Sequence, residues 1–538
     1  MKFRQPLPGH HKDTWWAPFQ YKVFRMLWIV WLGANSCMWM NDVAASWMMT
    51  SLTTSPTLIA LVQTASNIPV FLLGLPSGAL ADILNRKRYF MATQIWLAIN
   101  AAILCVSSFL GLLNAPTLLF LTFLNGIGLA MRWPVFSAIV PDLVPKDHLQ
   151  SALALNGIAM NASRIIGPLI AGALIASAGT EYVFALNMVI SLASTYVIYK
   201  WKYQAHVSAL PVERFFGAMR LGFQYVRESN RMRAVLIRVF LFFVQSSALL
   251  ALLPVIAKDH FQGNAGTFTI MLSSLGLGAI ISASQLPWLR ARWDRNQLAF
   301  SGAIIQAVCS VGVVLSPNIW IAAPLVVLTG MAWINVANSL SIAAQFALPG
   351  WVRARGMSFY QMGLMGGSAM GAALWGKVAS LTDVTIAVIA GSIFGIIATL
   401  LTRHLKLEGG FEVDLTPVCP MEHPTPSRFI DPSEGPVMIS IEYQIDRNHI
   451  GAFTRVMQKA RSARLRQGAI SWSLFEDAES AGKMIEYFAF ETWADYLRRF
   501  DRFTTTDLHM QEERLKFHIG ESTPKVTRRV ASLLDSDN

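Results

Sequence analysis

The chain has 538 residues, 54% of them hydrophobic and only 14% charged, with a formal net charge of +12 and a mean hydropathy of +0.43. Average soluble proteins carry roughly 25% charged residues, so one soluble fold of this length is excluded. Residues 1–410 hold 28 Lys+Arg and 12 Asp+Glu, whereas 411–538 hold 16 and 20; an apolar membrane body precedes a soluble domain. The basic residues sit in short loops between apolar stretches, where they act as membrane orientation signals, and nucleic acid is not an expected partner. Cys37, Cys105, Cys309 and Cys419 are too scattered for a disulfide framework or a metal site. The first apolar run starts near Phe24 and is interrupted by Asn35, Asn41 and Asp42, which predicts an uncleaved first helix.

A helix crosses the ~30 Å hydrocarbon core in about 20 residues. Stretches of that length fall near 24–50, 57–81, 89–113, 116–140, 150–177, 182–200, 233–258, 267–289, 297–316, 319–345, 355–380 and 383–403. The reading is an all-α polytopic membrane protein with twelve transmembrane helices in two six-helix halves, 1–200 and 233–406, joined by a charged loop at 201–232. Lys12, Lys22, Arg25, Arg86, Lys87, Arg88, Arg290, Arg292, Arg295, Arg353 and Arg355 fall on one side, and Lys258 is the clearest exception on the other. That side is cytoplasmic, which puts both termini inside a multi-pass protein of the inner (plasma) membrane. A shift of 204 residues lays Pro145 on Pro349, Gly167 on Gly371 and Gly172 on Gly376, as a duplicated six-helix unit requires.

From Leu407 to Pro436 prolines recur (Pro417, Pro420, Pro424, Pro426, Pro432, Pro436), a spacing that resists helix and strand. Strands follow at 437–445, 469–476, 483–491 and 525–531, with helices at 448–467 and 492–516. This β-α-β-β-α-β order predicts an α+β ferredoxin-like domain over 437–531, followed by a tail at 532–538. Trp472, Tyr487, His449, His509 and His518 form no catalytic set, so no enzyme activity is assigned. A regulatory or dimerising role is expected, with a second copy of the chain as partner.

Ionisable residues at depth are the sharper signal, because charge in hydrocarbon persists only when paired or facing water. Asp42 and Arg164 lie at similar depths on two outward-running helices and are expected to form or face a buried polar pair. Asp42 either titrates as a coupling group or caps and hydrates near the outer interface. Asn100, Asn125, Asn156, Asn161, Gln245, Asn335, Asn338 and Gln361 offer hydrogen bonds either to a substrate or to neighbouring helices. Gly363, Gly367 and Gly371 repeat at every fourth position of the eleventh stretch, and Gly167, Pro168 and Gly172 smooth the fifth, so that helices approach closely there, as a static seam or a sliding one. Pro168 also predicts a local kink.

The loop after the second stretch reads GALADILNRKR, Gly78 to Arg88. It resembles the signature G-x-x-x-D-[RK]-x-G-[RK]-[RK] of the major facilitator superfamily, with Ile83 and Asn85 departing from it. RIIGPLIAG, from Arg164, resembles the Gly-Pro motif of that superfamily's exporters. PVFSAIVPDLVPKDHLQSALALN (from Pro134) and PGWVRARGMSFYQ (from Pro349) are similar to its bacterial transmembrane secretion effectors, which include enterobactin-exporter-like proteins. TFLNGIG, from Thr122, lacks the Arg of the R-x-x-Q-G-x-G pattern of proton-coupled drug exporters.

The resemblance implies alternating access, with Asp82 near the cytoplasmic start of the eleventh helix, where the helix dipole favours negative charge. Gly78, Asp82, Arg86 and Arg88, with Arg132 as second partner of Asp82, would form a conformational latch; Arg86, Lys87 and Arg88 serve equally as topology signals. The soluble domain resembles antibiotic-biosynthesis-monooxygenase-like domains, which pair into dimers. The expected function is proton-coupled export of small amphipathic molecules, siderophore-like or antibiotic-like, without cofactor or metal. Import by the same fold, and a membrane-tethered enzyme or sensor acting through the tail domain, are the alternatives.

Overall fold

The computed structural model describes residues 16–201, 215–407 and 426–531. Lys12, Cys419, Pro417, Pro420 and Pro424 lie outside these residues, as do the side chains of Asp82 and Asn161. The chain forms two compact units. The first comprises Met1–Val212, Leu236–Ser341 and Ser358–Leu405; the second comprises Glu213–Val235, Ile342–Met357 and Lys406–Asn538.

Among the described residues, two sets of six long helices flank one short helix. The first set is α1 (Lys22–Leu52), α2 (Pro56–Ile83), α3 (Arg86–Phe109), α4 (Ala115–Leu143), α5 (Leu149–Ser177) and α6 (Thr180–Lys200); α7 (Phe215–Glu228) follows. The second set is α8 (Asn230–Val255), α9 (Ala265–Arg292), α10 (Arg295–Leu315), α11 (Ile319–Phe346), α12 (Arg353–Leu381) and α13 (Val384–Leu401). Ten of the described helices are long and apolar enough to cross a membrane, namely α2–α6, α8–α11 and α13. The two others carry polar residues in mid-helix or at their ends: Asn35, Asn41 and Asp42 in α1, and Arg353, Arg355 and Lys377 in α12.

Local chemistry fixes the boundaries. Pro56 opens α2, where its missing N–H is not needed. The side chains of Asn85, Asn114, Asn264 and Asp383 cap α3, α4, α9 and α13 by accepting from first-turn N–H groups. Asp294 and Gln297 form a reciprocal capping box at α10. Large side chains such as Ile99, Phe120, Leu192, Ile321 and Ile397 stay exposed on the outer faces of these helices, as lipid contact requires.

In the second unit, β1 (Val437–Gln444), β2 (Ser471–Glu476), β3 (Lys483–Phe490) and β4 (Lys525–Val530) form an antiparallel sheet of order β2-β3-β1-β4. Val437, Ile439, Ile441 and Tyr443 alternate on β1 with the buried Met484, Glu486, Phe488 and Phe490 of β3, and α14 (Ile450–Arg466) contributes Phe453, Met457 and Ala460 to the same core. The helix expected over 492–516 is two, α15 (Trp493–Asp501) and α16 (Thr505–Leu515). Thr504 and Asp507 make a capping box that starts a new helix there.

The charged loop expected at 201–232 contains α7, which belongs to this second unit. Leu221, Tyr225 and Val226 are buried, while Arg220, Phe223 and Arg227 are exposed. Gln224 Nε2 donates to the Ala469 carbonyl at 2.6 Å, Arg220 pairs with Glu491 at 2.5 Å, and Ser462 donates to Glu228 at 2.9 Å. Gly468 has φ +112°, and a Cβ there would lie 3.3 Å from Leu221, so both turn and contact favour glycine. On the other side, Tyr225 OH donates to the Ala347 carbonyl at 3.1 Å, and Trp351 takes the Arg502 guanidinium on its face at 4.8 Å.

Candidate functional site

Within the membrane body the glycine motifs lie at close helix contacts. A Cβ on Gly167 would come within 2.7 Å of Trp39 Cβ and 2.8 Å of the Ser36 carbonyl oxygen, so α5 meets α1 at its backbone. Pro168 follows inside α5. Gly172 faces Thr269 of α9, whose hydroxyl donates to the Gly172 carbonyl at 2.9 Å. Gly363, Gly367 and Gly371 of α12 run along α8, against Val239, Phe240 and Val244.

The two halves are tied by hydrogen bonds at one end. Thr57 Oγ1 donates to the Gly376 carbonyl at 3.1 Å and to Ser380 Oγ at 2.8 Å, and Thr64 donates to the Ala369 carbonyl at 2.9 Å. Gln63 and Asn67 both donate to Ser368, at 2.8 and 3.1 Å. Lys258 Nζ donates to the Thr50 carbonyl, and Trp47 stacks on Phe268 with centroids 5.3 Å apart. α1 and α2 are thereby joined to α9, α12 and the turn after α8 that carries Lys258.

Deeper in the body, Ser66 Oγ donates to Asp42 Oδ1 at 2.8 Å. Arg164 lies between the indoles of Trp39 and Trp333, 5.8 and 5.4 Å from their centroids. Among the described residues no ion pair joins Asp42 to Arg164; α2 supplies the partner of the first, and α1 and α11 the neighbours of the second. Arg132, only 2% exposed, points to α1: Nη1 donates to the Ala34 carbonyl at 3.1 Å, Nη2 to Asn35 at 3.4 Å, and the group lies 5.6 Å from the Trp31 centroid.

The basic turn after α2 is anchored. Arg86 Nη1 pairs with Asp142 Oδ2 at 2.8 Å, and Lys87 donates to the Tyr199 carbonyl at 3.0 Å. The Arg88 backbone N–H closes the cap on Asn85. Gly78 approaches Ser358, which a Cβ would reach at 3.9 Å, and Asp82 belongs to the last turn of α2. Asp142 was legible only as an acidic residue in PDLVPKDH, and Ser66, Trp39 and Trp333 gave no sequence signal, since each reads as ordinary helix content. Three of the polar residues bond neighbouring helices: Asn100 donates to the Leu121 carbonyl at 3.2 Å, Gln245 to Gln306 at 2.5 Å, and Asn335 accepts from Ser282 at 2.8 Å; Asn125 Nδ2 and Asn156 Oδ1 are buried without a partner among the described residues.

The second unit holds a buried charge cluster that sequence reading passed over. Glu486, fully buried, accepts from Arg464 Nε at 2.9 Å, Trp472 Nε1 at 3.1 Å and Tyr443 OH at 3.1 Å, with Arg514 at 3.8 Å. Burial pushes the Glu486 carboxyl up, but the Arg464 and Arg514 charges and the hydrogen bonds outweigh it and hold it at about 2. Burial, then the neighbouring Arg464, bring Arg499 down to about 9. His518 is structural: its Nδ1 accepts from the Gln444 N–H at 3.0 Å and its Nε2 meets the Ser522 carbonyl at 2.9 Å. Among the described residues no cluster of His, Cys, Asp or Glu has metal-site geometry.

The chain matches the family model described as "Transmembrane secretion effector" over residues 13–535. It is 23% identical to the staphyloferrin A transporter of Staphylococcus aureus, over 56% of this chain and 76% of that protein. With the enterobactin exporter EntS of Salmonella typhi it shares 25% identity over 68% of this chain and 88% of the exporter. Macrolide efflux protein A of Streptococcus pyogenes is 23% identical over 45% of this chain and 60% of that protein. The fold resembles that of a solved inward-facing bacterial homologue of the lysosomal transporter Spinster, with a TM-score of 0.56 and 14% identity over 72% of this chain and 97% of that one. With its family match running through nearly all of both units, the chain belongs to the transmembrane secretion effector family of membrane transporters.

Proposed function

We propose that the protein is a secondary transporter that exports small amphipathic molecules of siderophore or antibiotic type, the classes named for its relatives from Staphylococcus, Salmonella and Streptococcus. The observation that carries an alternating-access reading is the set of hydrogen bonds from Thr57, Gln63, Thr64 and Asn67 of α2 to α12 at one end of the body. By the distribution of basic residues that end is outer, so the halves are closed there. In this reading α1 and α12 also span, giving twelve helices in two six-helix halves, with both termini in the cytoplasm.

Asp42 is the protonatable coupling group, and Asp82 with Arg132 and the basic turn is the inner latch. The second unit, with its β2-β3-β1-β4 sheet, is a ferredoxin-like domain that regulates or dimerises and does not catalyse. The test is accumulation of a panel of siderophores and antibiotics in cells with and without the protein, at two external pH values. At least one panel member accumulates less in cells that have the protein, and Asp42→Asn abolishes the pH dependence of that difference. Identical accumulation across the panel removes the export reading; an Asp42→Asn variant with unchanged pH dependence removes the coupling role alone.

A further inference from the structure

Arg164 carries a charge to which the described residues supply no acceptor. Its Nε is buried without a partner, and no hydrogen bond or ion pair joins the guanidinium to another of the described residues. Its neighbours are the faces of Trp39 and Trp333, and the phenol of Tyr360 lies within its field. The acid at comparable depth, Asp42, is engaged by Ser66 at 2.8 Å. Arg132 differs, because a backbone carbonyl and Asn35 accept from it.

Position sharpens the contrast. Arg164 is 15 residues past the start of α5 at Leu149, hence about 22 Å along the helix. A bare guanidinium at such depth is costly. Two indole faces offset part of that cost. They leave the planar fork of N–H donors unused, and that fork matches a carboxylate in bidentate geometry. Trp333 adds a second open donor, since its indole Nε1 is also buried without a partner among the described residues. Unpaired donors of one sign, flanked by two aromatic walls, form a receptor for an oxyanion.

We propose that Arg164, held between Trp39 and Trp333, binds a carboxylate of the exported molecule, which makes acidic compounds the preferred substrate class. The proposal rests on the transport reading and narrows it. The occupant completes the ion pair that α5 lacks, so binding joins α1, α5 and α11 through one anion. A neutral molecule of the same shape leaves the guanidinium unpaired and binds more weakly.

The test uses the purified full-length protein in lipid nanodiscs and two probes of matched shape, benzoate and benzamide, read by saturation-transfer NMR. Benzoate is expected to bind about tenfold more tightly than benzamide, the scale of one hydrogen bond to a charged group. Arg164→Gln removes the preference. Arg164→Lys keeps the charge without the fork and retains part of it, and Trp333→Phe lowers it by loss of one donor. Equal signals from the two probes in the unmodified protein, including none from either, overturn the proposal, as does a preference that survives Arg164→Gln. The wild-type comparison needs no variant to fold. Because the assay measures binding, it fails independently of the accumulation test: export of panel compounds without a benzoate preference removes only this proposal.

Discussion

Glu486→Gln is expected to destabilise the sheet-bearing unit by about 3–5 kcal/mol, the usual cost of leaving a buried partner charge uncompensated. Glu486 is the carboxylate on which the Arg464, Trp472 and Tyr443 bonds converge, and both members of its pair with Arg464 are buried, with side chains 0% and 3% exposed. Without it, Arg464, Arg499 and Arg514 repel one another in a dry space. Hydrogen exchange of β3 and α14 in the intact chain measures the loss. A double replacement, Glu486→Leu with Arg464→Met, recovers part of it, because an apolar pair of similar volume escapes the desolvation penalty. The same carboxyl sets an acid limit. With its folded value at about 2 against an ordinary 4.5, the stabilisation is complete above pH 4.5 and is lost as pH falls from there towards 2. The Gln variant loses its slope in that window; equal acid sensitivity of variant and parent would show that Glu486 does not govern the transition.

Gly371→Val produces the second large effect. A Cβ there would sit 2.1 Å from Ser247 Oγ and 2.5 Å from the Val244 carbonyl oxygen, and one at Gly367 would sit 2.5 Å from the Phe240 carbonyl oxygen. Backbone cannot turn away as a side chain does, so α12 must move off α8. Overpacking of this kind costs about 1–3 kcal/mol, and more where nothing relaxes. At Gly363 the nearest atom is Val239 Cγ1, at 3.1 Å, and a rotamer change makes room. The yield of monodisperse protein extracted from membranes and its melting temperature should therefore fall for Gly371→Val and Gly367→Val and hold for Gly363→Ala. Equal behaviour of the three variants counts against a close α8–α12 seam.

Much of the architecture was legible because a membrane helix announces itself by length and apolarity. Each long helix begins and ends within a few residues of an apolar stretch, and β1 and β3 of the second unit follow their period-two alternation. The misreadings share a cause. α7 buries only one face over 14 residues, so its charged side made it look like loop, and the capping pair Thr504–Asp507 was hidden inside what read as one helix. The surroundings of Arg164 come from three different helices. Depth alone suggested Asp42 as its companion, but depth says nothing about azimuth around a helix axis, and Asp42 faces Ser66 instead.

The Tyr225–Ala347 hydrogen bond joins two points that the chain keeps far apart. Tyr225 lies five residues before α8 begins, and Ala347 sits in the short connection between α11 and α12. Both belong to the unit that contains the sheet, where neighbouring Gln224 and Trp351 also meet Ala469 and Arg502 of the tail, so that bond and these contacts together form a splint within that unit. Any cycle that separates the start of α8 from the start of α12 must stretch that splint or release it. Cutting the tail away is thus two operations at once: it removes a folded unit and bares Leu221, Tyr225 and Val226 on α7. Tyr225→Phe performs the release alone, and it is expected to change the turnover rate of export while leaving the benzoate preference untouched.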